Sequence, residues 1–171
     1  MEIIQIVGYK NSGKTTLANT FIETLANQGV RVASLKHHGH GGVPLGIEET
    51  DSEKHKRSGA VLSGVEGDGL FQISRQQPWD IDQMLAIYTL MDIEVVIMEG
   101  FKRQRYPKVV LIRTEEDLHL LDKVTNIKAV LTSLELKQES YSYPIFTISE
   151  MDALVEQVIN ICKLQWEERH P

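Results

Sequence analysis

The stretch "GYKNSGKTT", residues 8–16, follows the β-branched run "EIIQIV" at residues 2–7 and precedes a segment with helical period. Gly8, Gly13, Lys14 and Thr15 hold the fixed positions of the G-x-x-x-x-G-K-[ST] phosphate loop. Leu17, Phe21, Ile22 and Leu25 then recur at helical spacing, so Lys14 to Asn27 is expected to be a helix, ended by Gly29. "VRVASL", residues 30–35, reads as the next strand. Strand, glycine-rich loop, helix and strand make a βαβ unit, which requires parallel strands joined by a right-handed crossover.

The rest of the chain repeats that alternation. Residues 37–50 carry Gly, His and Pro44 without a period and read as a surface loop. Asp51 to Ser58 is expected to be a short helix, and Ala60 to Val65 with Leu70 to Ser74 a strand pair turning at residues 66–69. Ile81 to Met91 reads as a helix with Asp80 as its N-cap. "IEVVIM", residues 93–98, is nearly continuous apolar sequence, as in a strand covered on both faces. Val109 to Ile112, Ile127 to Leu131 and Ile145 to Ile148 are further strands. Ser149 to Trp166 closes the chain as a helix with Leu154, Val158, Ile161 and Cys162 facing inward. The expected fold class is α/β: a three-layer P-loop NTPase with a mostly parallel central sheet flanked by helices, plus a small antiparallel strand pair. Its ligand is expected at the carboxyl ends of the strands.

A chain of 171 residues can bury one hydrophobic core, so a single nucleotide-binding domain over residues 1–171 is expected. Eighteen basic against 24 acidic residues, a net charge of −6, give no overall basic field for a nucleic-acid partner. No apolar stretch is long enough to span a bilayer, and a cytoplasmic protein without a membrane partner is expected. Cys162 is the only cysteine, which excludes internal disulfides and Cys-rich zinc sites; its apolar helix position reads as a small buried hydrophobe.

The loop's chemistry follows from its residue types. Gly8 and Gly13 let the backbone curl so that successive N–H groups, those of Tyr9, Lys10, Asn11, Ser12 and Thr16 among them, converge on phosphate oxygens at a helix N-terminus. Lys14 neutralises phosphate charge, and the Thr15 hydroxyl is a ligand type for Mg²⁺. Lys10 is a second cation in the loop, either a solvated lysine or a group that reaches phosphate, within this chain or across a dimer. A nucleotide hydrolase also needs an acid at the end of an apolar strand, and "EVVIMEGFK" supplies Glu99. Asp is the usual residue there, so Glu99 sets its carboxylate one methylene farther out.

Three further segments leave alternatives open. In "KHHGHGG", residues 36–42, His37, His38 and His40 fit either a Zn²⁺ or Ni²⁺ site or, with Lys36, a flank of the nucleotide. Asp51 fits an N-cap, a water-mediated Mg²⁺ contact or a group positioning the attacking water. "FKRQRYPK", residues 101–108, gathers Lys102, Arg103, Arg105 and Lys108 beside Tyr106, either as a solvated loop or as a surface for an anionic pterin phosphate or an acidic partner.

Taken in order, "VGYKNSGKTTL", "KHHGH", "TDSEKHKRSGA" and "VVIMEGFK" resemble the molybdopterin-guanine dinucleotide biosynthesis protein B (MobB) family over roughly the first two thirds of the chain. The resemblance implies a homodimeric P-loop protein that binds GTP with Mg²⁺, hydrolyses it weakly, and works with the MobA-type guanylyltransferase that joins GMP to molybdopterin. By match, residues 8–16 hold the phosphates, Thr15 and Glu99 serve the metal, Lys14 and Glu99 are catalytic and Asp51 assists. The chain departs from ordinary GTPases after the strand ending at Leu131, where "TSLEL" stands in place of an N-K-x-D guanine box. It also reads "VPLGIEE" at residues 43–49, where the family carries a longer acidic, Pro-Gly stretch. A metal-delivery GTPase and a small-molecule P-loop kinase are the alternative readings.

Overall fold

The computed structural model describes residues 1–38 and 50–169, the last eight of these by backbone alone. His40 and the "VPLGIEE" stretch lie outside the described residues, as does the side chain of Cys162. The chain divides into two compact units, Met1–His37 with Thr89–Pro171, and His38–Tyr88.

The larger unit is built on a six-stranded sheet in the order β2-β5-β1-β6-β7-β8. These strands are β1 (Glu2–Val7), β2 (Val32–Lys36), β5 (Val95–Glu99), β6 (Lys108–Ile112), β7 (Ile127–Thr132) and β8 (Ile145–Thr147). Every pairing in it is parallel. Pleating sends alternate side chains to opposite faces, and the apolar runs fill both. Ile4, Ile6, Val109, Leu111, Ala129 and Leu131 meet helices α1 (Lys14–Asn27) and α5 (Met151–Arg169) in one buried cluster. Val7, Val110, Ile112 and Val130 meet Leu120 and Val124, from and just after α4 (His119–Lys123), in another. The result is helix, sheet, helix, the three-layer α/β class expected.

Several element boundaries moved for local reasons. β2 starts two residues later than its apolar run, because the Val30 N–H donates to the Leu25 carbonyl and still belongs to the turn after α1. Arg31 ties the same corner, donating its backbone N–H to the Glu94 carboxylate and its guanidinium to the Met91 and Asp92 carbonyls. α5 is preceded by a single 3₁₀ turn whose capping box pairs Thr147 with Glu150. Leu154 and Val158 are buried as expected, and Ile161 is partly so.

The second unit carries α2 (Asp51–Arg57) and the antiparallel pair β3 (Leu62–Gly67) and β4 (Leu70–Arg75), and most of α3 (Ile81–Leu90) falls within it. The hairpin closes through Asp68 and Gly69, both at positive φ, the two-residue D-G turn that matches strand twist. Asp80 caps α3 by accepting the Asp82 N–H at 2.8 Å. Among the described residues no helix is long and apolar enough to cross a membrane.

Candidate functional site

β1 sits where the strand order reverses, with β5 on one side and β6 on the other, and its carboxyl end runs directly into the glycine-rich loop. In an open α/β sheet that reversal is where a ligand-binding crevice forms. The loop takes backbone conformations its sequence permits: Asn11 has φ 59° and Gly13 φ 94°, and Gly13 then leads into α1. Gly8 is needed for a steric reason, since a Cβ there would stand 2.5 Å from Ser12 Oγ and 3.2 Å from both the Leu111 Cβ and the Leu111 carbonyl oxygen. Ser12 Oγ itself is buried with no hydrogen-bond partner among the described residues. An orphaned hydroxyl in a phosphate loop suits a loop that receives a polar ligand.

The first residues of α1 supply the charged groups. Lys14 Nζ donates to the Tyr9 carbonyl at 2.6 Å, which folds the side chain over the loop. Burial pushes its ammonium below the usual lysine range; Glu99 opposes that shift and Lys36 adds to it. Thr15 donates its hydroxyl to Glu99 Oε2 at 3.1 Å, and Lys36 Nζ stands 3.2 Å from Glu99 Oε1 and 3.4 Å from Thr15 Oγ1. Glu99 is the last residue of β5 rather than the residue after it, and in the sheet it pairs with Ile6 of β1 and Lys36 of β2. Neighbouring strands therefore deliver the acid and the lysine side by side at the carboxyl edge.

Hard cations take oxygen ligands, and a neutral hydroxyl with a carboxylate 3.1 Å away is a donor set of the kind Mg²⁺ uses beside phosphate. Thr15 and Glu99 thus fit the group that the phosphate loop implies.

Around this centre lie residues that sequence reading did not connect. Lys102 Nζ stacks 3.9 Å from the Tyr9 ring centroid, and the Tyr9 hydroxyl hydrogen-bonds His119 Nε2, whose Nδ1 in turn meets the Glu116 carbonyl. Burial, then the nearby Lys14 charge, pushes the Lys102 ammonium down, with Asp117 opposing. Arg113, just past β6, donates to the Asn11 carbonyl at 3.1 Å and braces the loop from outside. On β1, Gln5 Nε2 donates to the Gly100 carbonyl at 2.7 Å and the Phe101 carbonyl at 2.6 Å. Both of those residues have positive φ, 90° and 51°, so Gln5 clasps a left-handed pair directly after Glu99. No local motif marks Gln5; it is one polar letter in an apolar run.

Two readings change, those of Lys108 and Asp51. Lys108 is no surface cation: it is fully buried in β6, its ammonium bonded to the Gln104 and Tyr106 carbonyls, and burial lowers it to about 8. Arg103 and Arg105 of that segment remain exposed, with Lys102 on Tyr9. Asp51 is not the N-cap of α2, because Thr50 fills that position and accepts the Glu53 N–H; Asp51 pairs with Lys54 at 2.7 Å. His37 rests its ring 4.9 Å from the Phe101 ring, and among the described residues no group of three or more His, Cys, Asp or Glu side chains forms a metal-ligand cluster. Lys10 is exposed, and Tyr9, Asn11, Ser12 and Thr16 stand in or beside the loop as its sequence dictates.

A strand that ends in this loop at the reversal point of a parallel sheet, with a helix opening on Lys14 and Thr15, defines the P-loop nucleotide-binding fold. The profile of a family described as "Molybdopterin guanine dinucleotide synthesis protein B" matches residues 3–133. The chain belongs to that family, MobB. It is 38% identical over 145 residues to a Bacillus subtilis protein named "Probable molybdopterin-guanine dinucleotide biosynthesis adapter protein", covering 84% of each chain. It is 28% identical to the Haemophilus influenzae "Molybdopterin-guanine dinucleotide biosynthesis adapter protein", over 90% of this chain and 87% of that one. Among solved structures, a MobB homologue from Bacillus stearothermophilus superposes with a TM-score of 0.75 at 35% identity, over 96% of this chain and 99% of that one. Bacillus subtilis MobB gives 0.76 at 33% identity, over 94% and 97%.

Proposed function

We propose that this chain is a GTP-binding adapter in the assembly of molybdopterin-guanine dinucleotide, working as a homodimer in the cytoplasm beside a MobA-type guanylyltransferase, and hydrolysing GTP slowly. The whole chain, residues 1–171, is read as one nucleotide-binding domain. The observation that carries the reading is the loop 8–16 joined to the Thr15–Glu99 pair, 3.1 Å apart, at the carboxyl edge of the sheet. The names of its relatives supply the pathway.

In this reading the loop's backbone N–H groups and the N-terminus of α1 bind the triphosphate. Lys14 turns its ammonium to the phosphate oxygens, while Thr15 and Glu99 hold Mg²⁺. When bound, that ion neutralises charge on the phosphates. Lys102 and Arg113 keep the loop's outer wall in place through Tyr9 and Asn11. Asp51, on α2 and paired with Lys54, is assigned an assisting role in turnover. Turnover is slow because no arginine finger or water-positioning glutamine is identified among the described residues, and such groups are worth about 10³–10⁵ in rate.

Equilibrium binding of GTP and ATP, with and without Mg²⁺ and with and without the guanylyltransferase, tests the reading. The expected result is Mg²⁺-dependent GTP binding that Lys14→Ala weakens by about 10- to 100-fold, the loss of a charge-assisted phosphate contact. Wild-type protein with no guanine-nucleotide affinity, or Lys14→Ala binding as well as wild type, overturns it.

A further inference from the structure

We propose that Lys36 is an internal cation that guards the Thr15–Glu99 pair, so that a divalent metal enters only together with the nucleotide phosphates. The inference rests on reading Thr15 and Glu99 as the metal's ligands.

Both carboxylate oxygens of Glu99 are engaged: Oε1 faces the Lys36 ammonium at 3.2 Å and Oε2 accepts the Thr15 hydroxyl at 3.1 Å. The same ammonium stands 3.4 Å from Thr15 Oγ1. A divalent ion needs those oxygens, and an ammonium at this range competes for them and repels it. The two partners differ in freedom. The Glu99 side chain is 12% exposed and held at a strand end, whereas that of Lys36 is 62% exposed on a four-carbon stem that can swing aside.

The charge count gives the direction. Glu99, Lys14 and Lys36 together carry one negative and two positive charges, and Lys14 already feels Lys36 as a repulsive neighbour. Adding a divalent cation alone raises the local charge to plus three, which like-charge repulsion opposes. Arriving with a triphosphate, the same ion meets compensating negative charge, and Lys36 gains phosphate oxygens as new partners when it leaves Glu99. Metal loading is thereby conditional on nucleotide, and the condition is carried by one side chain.

Mn²⁺ serves as the probe, with free ion counted by electron paramagnetic resonance during titration of the full-length protein without nucleotide. Lys36→Met, which keeps the stem and removes the charge, is expected to bind Mn²⁺ at least about tenfold more tightly than wild type. Lys36→Arg, which keeps the charge, is expected to bind it as weakly as wild type, and its thermal melt controls for folding. The gain in Lys36→Met must vanish when Glu99→Gln is added. An affinity for Mn²⁺ unchanged in Lys36→Met, or a gain that survives Glu99→Gln, overturns the proposal. Failure of the functional reading is separately visible, because wild type that binds no GTP refutes that reading whatever the nucleotide-free Mn²⁺ titrations give.

Discussion

Gln5 gives the sharpest test of how the site is held. Its amide is fully buried on β1 and spends both N–H groups on the Gly100 and Phe101 carbonyls, at 2.7 and 2.6 Å. Gln5→Leu keeps the volume and deletes both bonds. Each lost bond costs about 1 kcal/mol net, and up to about 3 where the abandoned carbonyl stays dry. Gln5 Oε1 has no partner among the described residues, so its removal offsets part of that cost. A loss of about 2–4 kcal/mol follows, against a total stability of about 5–15 kcal/mol. In a chain of this length that is a fall in Tm of about 4–16 °C. Gln5→Glu is the isosteric counterpart: it places a carboxylate oxygen where the amide nitrogen donated, facing two carbonyl oxygens. That change is expected to cost more than Gln5→Leu at pH 8 and less at pH 5, because only the protonated acid can donate. The sign follows from linkage. The folded environment raises the new carboxyl above its unfolded value of about 4, so stability is present at low pH and is lost as pH rises through the folded value. Urea unfolding at both pH values measures the ranking. Gln5→Leu within about 0.5 kcal/mol of wild type, the range of an ordinary surface change, would refute the clasp.

Two other outcomes follow from side chains on β6 and in the loop. Lys108 titrates near 8 when folded and in its usual range near 10.5 when unfolded, so the unfolded chain binds more protons between those values. Stability is therefore expected to rise with pH from about 8 to about 10.5, and Lys108→Met to flatten that slope in denaturation series taken across the window; an identical slope in the variant removes the assignment. Gly8→Ala forces a methyl to 3.2 Å from the Leu111 carbonyl and 2.5 Å from Ser12 Oγ. It is expected to cost about 1–3 kcal/mol in thermal or urea unfolding, the overpacking range. Ser12→Ala in the same chain should return part of the loss, and a double variant no better than the single one shows that the Leu111 contacts, its Cβ and its carbonyl, set the limit.

What the sequence made legible was local. The phosphate loop, the helix after it and the acid at the end of "EVVIM" are contiguous patterns, and the nearly continuous apolar run at residues 93–98 announced a strand covered on both faces. The Lys36–Glu99 contact depends on β2 lying next to β5, and strand order is a property of the whole sheet that no window of sequence contains. Lys108 closes a run of Lys and Arg that reads as a solvated loop, but it is the first residue of β6, set between β1 and β7, and that placement depends on strands a local window does not contain. Thr50 took the cap from Asp51 because a threonine one residue earlier could reach the Glu53 N–H. Tyr9, Lys102 and His119 come from three separate segments and share no spacing that could have joined them.

The pairing of Lys36 with Glu99 across two adjacent strands also makes the site a reporter of folding fidelity. β2 is an edge strand of the sheet, held by β5 alone, and a strand that slips by one residue turns every side chain to the opposite face. After such a slip Leu35 or His37 replaces Lys36 opposite Glu99, and the acid loses its lysine. A chain with its edge strand misregistered is thus expected to differ electrically at the nucleotide edge from a correctly zipped one, so errors in sheet assembly become errors in ligand response rather than hidden defects.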